Sequence, residues 1–107
     1  MESFTVGDIV LFKFPFSNQK GYKKRPCVVV SEIIESDVLL CQITSKKPSH
    51  NHYIIVETEK NKLRTTSYAK INKLFSVDTI NIDSKIDKLT KENKEKLFRK
   101  IREFFSL

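Results

Sequence analysis

The sequence predicts a mainly β protein, a small antiparallel barrel ending in one C-terminal α-helix, on three observations. Short runs rich in β-branched and aromatic residues recur along most of the chain. Apolar residues at helical spacing gather only near the C-terminus. In a chain of 107 residues few are left over for crossover connections, so the strands are expected to pair antiparallel. The same length predicts a single domain over residues 1–107, with one thin hydrophobic core.

Asp8 to Phe14, DIVLFKF, is too short and too β-branched for a helix and reads as the first strand. Phe16 to Lys24 follows as a polar, basic loop. Pro26 opens a strand over Cys27 to Ser31, where a missing amide proton is tolerated. Ser36-Asp37 turns the chain into Val38 to Ile43, and Thr44 to Asn51 is a second polar loop containing Pro48. Tyr53 to Val56 is the next strand. A charged stretch, Glu57 to Arg64, precedes an imperfectly alternating strand over Ser67 to Leu74. Near Ile80 a short helix or turn leads into a short strand within Ile82 to Leu89. Thr90 is an expected N-cap, and Leu97, Phe98, Ile101, Phe104 and Phe105 form one apolar face of the final helix. Loops of this length on a small rigid sheet are natural places for a site.

Twenty Lys and Arg against thirteen Asp and Glu give a formal charge of +7. Such a surface attracts polyanions, and nucleic acid is the expected partner; the plainer alternative is that the lysines only keep the chain in solution. Cys27 and Cys41 sit in apolar runs without CxxC spacing, so buried free thiols are expected rather than zinc or redox chemistry. No segment resembles a signal peptide, and no apolar run approaches the roughly 20 residues that span a bilayer. The expected location is the cytoplasm, away from membranes.

Several short blocks then follow in a fixed order: Gly7-Asp8-Ile9-Val10, Phe14-Pro15-Phe16-Ser17, Lys24-Arg25-Pro26, Val28-Val29-Val30-Ser31, Gln42-Ile43-Thr44-Ser45, Thr66-Ser67-Tyr68-Ala69-Lys70-Ile71 and Ile86-Asp87-Lys88-Leu89. In joint order and spacing they resemble the MazF/PemK family over essentially the whole chain. The resemblance implies an SH3-like barrel of the MazF/PemK/CcdB kind, usually a homodimer. It also implies a toxin of a type II toxin–antitoxin system, an endoribonuclease that cuts single-stranded RNA to leave 2′,3′-cyclic phosphate and 5′-hydroxyl ends. Block by block, the family's catalytic arginine falls on Arg25 and its threonine on Thr44.

Those residue types suit that chemistry. RNA cleaves itself when its 2′-hydroxyl attacks the neighbouring phosphorus, so the enzyme needs neither an outside nucleophile nor a metal or other cofactor. It must stabilise negative charge on the phosphoryl oxygens, which a planar, permanently charged guanidinium does well. Thr44 can donate a hydrogen bond to a phosphoryl or leaving oxygen but is too weakly acidic to serve as a base. The proton transfers fall to another group, or to Arg25 itself as acid. His50 and His52, two apart in an extended segment, could share a cleft as acid and base, or bind a metal with a third ligand that the sequence does not supply. The plainer alternatives are a surface arginine, a threonine that bonds a loop, and two inert loop histidines. Some relatives place a histidine in the first long loop; this chain has none between Phe14 and Arg25.

Lys20, Lys23, Lys24, Lys46 and Lys47 are expected to hold the RNA backbone, with Ser45, Ser67 and Lys70 beside them. Lys70 stands where the family often has an arginine. Tyr22 is the best candidate to stack a base, ahead of Tyr53; Phe16 is expected to pack. The expected protein partner is an acidic, partly disordered antitoxin that covers Arg25. Two rivals share the barrel: a non-catalytic module that binds nucleic acid or protein, and a toxin directed at DNA gyrase.

Overall fold

The computed structural model describes residues 3–16, 18 and 20–106. Ser17 and Gln19, which the sequence puts in the first polar loop, lie outside the described residues. The chain forms β1 (Asp8–Pro15), β2 (Tyr22–Val29), β3 (Asp37–Thr44), β4 (Tyr53–Ile55) and β5 (Tyr68–Asp78), a 3₁₀ turn (Thr79–Asn81), β6 (Ile82–Lys88) and α1 (Lys91–Phe104). The strands make one six-stranded sheet in the order β4-β5-β3-β2-β1-β6, and every ladder is antiparallel. The sheet is open rather than a sealed barrel. Its two edges meet through one isolated bridge, Thr58↔Leu89, flanked by Glu59 N–H donating to Lys88 O and Thr90 N–H to Glu57 O, both 3.0 Å.

Both sheet faces are apolar over much of their area, which is why the strands read as unbroken hydrophobic runs. Successive side chains in a strand point to opposite faces. Ile9, Val28, Cys41, Ile43, Ile54, Ala69 and Ile71 therefore form an inner cluster with Leu97 of α1. Val10, Phe12, Cys27, Val29, Val38, Leu40 and Ile82 form an outer cluster, with Phe14 and Phe75 packed against it. Phe12 meets Phe14 at 4.8 Å and Phe75 at 5.7 Å, both edge to face. Each fully buried aliphatic side chain contributes about 1.5–3 kcal/mol.

The helix begins at Thr90, whose hydroxyl oxygen accepts the Asn93 amide at 3.2 Å. One turn in, Asn93 is buried and treats the edge of the sheet as a strand would. Its Nδ2 donates to Ile55 O and its Oδ1 accepts from Glu57 N, both at 2.9 Å. The exposed edge beyond β4 is thereby paired.

Two of the short blocks are structural. Gly7 has φ +98°, a conformation that L side chains rarely adopt, and a Cβ there would lie 2.9 Å from the Lys94 stem. Asp8 is buried, accepts the Thr5 amide at 2.9 Å and pairs with Lys85 at 3.4 Å. Asp87, also buried, accepts the amides of Lys60 and Lys62 at 3.0 Å and of Lys88 at 2.8 Å. Burial alone would raise its pKa, but these amides and the Thr58 hydroxyl together hold it below the ordinary aspartate value.

The structure corrects two boundaries. β2 begins at Tyr22, five residues before the predicted start at Cys27, because Tyr22, Lys23, Lys24 and Arg25 pair with Pro15, Phe14, Lys13 and Phe12 of β1. Pro26 thus lies inside a strand, at a point where only β1 is paired, since the β3 ladder starts at Cys27. β5 runs on past Leu74 to Asp78, along β3 as far as Asp37.

Candidate RNA-binding and cleavage site

The outer face changes character towards one end of the sheet. Cys27 opposes Gln42 where the β2–β3 ladder ends, and Arg25 and Thr44 each lie two residues beyond that pair, on its face by strand alternation. Arg25 also opposes Phe12, so it points to the outer face, away from α1. Thr44 opposes Tyr68, and alternation along β5 puts Lys70 on the same face. Tyr53, paired with Lys70, completes the row and meets the Tyr68 ring edge to face at 5.5 Å. Where the outer apolar cluster stops, a strip of Arg25, Thr44, Tyr68, Lys70 and Tyr53 begins.

The β3–β4 loop folds over this strip to form a cleft of about 330 Å³ lined by Thr44, Lys46, Lys47, Pro48, Ser49, His50 and Lys70. Thr44 is half-buried, and its Oγ1 accepts the Lys46 amide at 3.2 Å, leaving its own proton for another acceptor. His50 Nδ1 accepts the His52 amide at 3.0 Å. In that arrangement the neutral imidazole carries its proton on Nε2, so His50 presents a donor. Arg25 is exposed and has no acidic partner among the described residues. Three lysines, a hydroxyl and an imidazole N–H in one cleft, with a guanidinium at the neighbouring strand position, can bind an extended polyanion and stabilise charge on its phosphates.

Other expected site residues lie elsewhere. Along β2, Tyr22 and Lys24 alternate with Lys23 and Arg25 and so occupy the opposite face. Lys24 pairs with Asp83 at 3.1 Å, and the Lys24 ammonium holds that exposed carboxyl below its usual range. Lys13 Nζ sits 5.3 Å over the half-exposed Tyr22 ring. Ser67 is buried and donates to Thr65 O at 3.1 Å, so its hydroxyl is already used. Lys20, Lys23 and Ser45 are exposed; Lys23 is two residues from Arg25 along β2 and Ser45 follows Thr44, while Lys20 lies in the β1–β2 loop. His52 does not line the cleft; its ring stands 5.2 Å from Phe104 of α1. Phe16 is 44% exposed, contrary to the expectation that it packs. Cys27 and Cys41 are buried free thiols, and burial pushes both up to about 12. Among the described residues, no three His, Cys, Asp or Glu side chains group as they would around a metal ion, and no helix is long and apolar enough to cross a membrane.

Fold and site together define a small basic β-sheet protein with a cationic cleft on the face opposite its helix. The family model of PemK-like, MazF-like toxins of type II toxin–antitoxin systems matches residues 5–105, and the chain belongs to that family. Solved structures agree in fold. A MazE-MazF complex from Deinococcus radiodurans superposes with TM-score 0.77 at 15% identity, covering 96% of each chain. An endoribonuclease from a mycobacterial species gives TM-score 0.74 at 11% identity over 96% of this chain and 91% of that one. The Mycobacterium tuberculosis toxin MazF-mt6 gives 0.68 at 13% identity over 92% and 97%. No curated protein matches the chain in sequence.

Proposed function

We propose that this toxin is a metal-independent endoribonuclease that cuts single-stranded RNA in the outer-face cleft. The observation that carries the proposal is the assembly of Thr44, Lys46, Lys47, His50 and Lys70 around one cleft, with exposed Arg25 on the same face of the sheet. The 2′-hydroxyl oxygen attacks the adjacent phosphorus as its proton passes to water, and the bond to the 5′-oxygen breaks as that oxygen takes a proton from water, leaving a 2′,3′-cyclic phosphate and a 5′-hydroxyl. Arg25 stabilises the charge that builds on the phosphoryl oxygens. Thr44 donates to one of those oxygens, while His50 donates through Nε2 to a flanking phosphate, apart from the reacting one. Lys46, Lys47 and Lys70 hold flanking phosphates, with Lys20, Lys23 and Ser45 at the rim; Tyr53 and Tyr68 offer ring faces to unpaired bases.

The family and the MazE-MazF relatives support an antitoxin as partner. We assign it an acidic segment that lies in the cleft and covers Arg25, and we assign the toxin a homodimeric state in the cytoplasm. The test is to incubate wild type and Arg25→Ala with mixed-sequence RNA in excess EDTA, then determine the chemistry of the new ends. Cleavage by wild type alone, with cyclic phosphate and 5′-hydroxyl ends, is the expected result. Equal cleavage by both proteins would remove Arg25 from the mechanism. Binding of RNA without cleavage would make the chain a non-catalytic module.

A further inference from the structure

We infer that the last turn of α1 positions the loop that builds the cleft, with Phe104 acting through His52. The inference rests on the reading of that cleft as the RNA site. Phe104 is 39% exposed at the end of the helix, a costly place for a large apolar ring unless something uses it. Its ring stands 5.2 Å from that of His52, at 69°. The His52 ring lies 5.6 Å from His50, and the His52 amide donates to His50 Nδ1 at 3.0 Å. Two further bonds hold the segment from His50 to His52, at Asn51 and at His52. Lys100 Nζ of α1 donates to Asn51 O at 3.4 Å, and Ile71 N of β5 donates to His52 O at 2.9 Å.

The loop from Ser45 to Ser49 is therefore strung between two anchors, Thr44 in β3 and the clamped segment His50 to His52. Apart from half-buried Pro48, its side chains are polar and exposed, so it buries little of its own to hold a shape. A chain of that composition without the second anchor would have to be ordered by each arriving RNA, and binding would lose that much free energy. Clamping it from the helix fixes Lys46, Lys47 and His50 before the substrate arrives. The bond-breaking groups Arg25 and Thr44 sit on β2 and β3 and do not depend on the clamp. Phe104 and Lys100 are thus positioning residues for substrate binding.

The prediction separates KM from kcat. Phe104→Leu, which keeps apolar bulk but loses the ring, should raise KM for RNA about three- to tenfold, the scale of one aromatic pair, with kcat close to wild type. Phe104→Tyr should restore wild-type KM. His52→Ala should match Phe104→Leu, and the double variant should be no worse than either, since both break one link. Amide hydrogen exchange over residues 45–52 should speed up in Phe104→Leu while exchange elsewhere and Tm stay put. Wild-type KM and unchanged exchange in Phe104→Leu would overturn the inference, as would faster exchange across the whole chain with a lowered Tm. A wild-type chain that cleaves no RNA would sink the proposed function instead; exchange over 45–52 in Phe104→Leu would still decide the clamp either way.

Discussion

The two faces of the sheet are built from the same strands yet end differently. The inner face packs its apolar cluster against α1, with Leu97 fully buried among Ile9, Val28, Cys41 and Ile71. The outer face is apolar only in part, from Val38 to the Phe12, Phe14 and Phe75 rings. It then gives way to Arg25, Thr44 and Lys70 with no helix above them. A covered face can be optimised for packing alone; a face left half open provides rigid strand positions for charges that must meet a ligand. Substitutions on the inner face should accordingly change stability, and those on the open strip should change activity.

The sharpest break in that comparison is Arg25→Ala. Losing the charge-stabilising donor should lower single-turnover cleavage by about 100- to 1,000-fold, while the unfolding free energy from urea titration stays within about 0.5 kcal/mol of wild type, as for an exposed residue. Leu97→Ala should do the reverse, costing roughly 2–5 kcal/mol in urea unfolding while the folded protein keeps its cleavage rate at low temperature. A large loss of activity in folded Leu97→Ala would mean that the faces are not independent.

Asp87 belongs to the stability side. Its pKa is depressed in the folded state, so the stability it contributes is present above the unfolded value, near 3.9, and is lost as pH falls through the folded value. Asp87→Asn should cost roughly 1–3 kcal/mol at pH 7, because an amide is a poorer acceptor for three backbone donors. Urea titrations at pH 7 and pH 3 should show the difference between the two proteins shrinking at the lower pH. On the open strip, Lys46→Ala or Lys47→Ala should each lower the slope of log affinity against log salt by about 1, measured with a non-cleavable RNA. The smallest effect belongs to the thiols. Held at about 12 by burial, Cys27 and Cys41 should stay unlabelled by iodoacetamide in the native state at pH 8 and react once urea unfolds the chain.

Most strands, the Thr90 cap and the free thiols were legible in the sequence because periodicity and burial decide them locally. The start of β2 was not, since Tyr22-Lys23-Lys24-Arg25 is polar on both faces and becomes a strand only through its pairing with β1. The same blindness misplaced two site residues. Without the strand its alternation is hidden, and in the sequence Tyr22 and Lys24 group with Arg25 although they point the other way. Ser67 reads as a contact for RNA because a hydroxyl shows no sign of burial in sequence. Thr44, Lys46, Lys47 and Lys70 were legible as candidates, but the cleft that joins them needs the β3–β5 pairing. The contact of His52 with Phe104 and the grip of Asn93 on Ile55 and Glu57 join distant segments, and no local pattern announces them.

In the proposed mechanism Arg25 and Thr44 work as one pair on one phosphate. A double-mutant cycle on single-turnover cleavage, using Arg25→Ala, Thr44→Ala and the double variant in EDTA, tests it most directly. The double variant should be scarcely slower than Arg25→Ala alone. Fully multiplicative losses, or an Arg25→Ala protein that cuts like wild type, would contradict it.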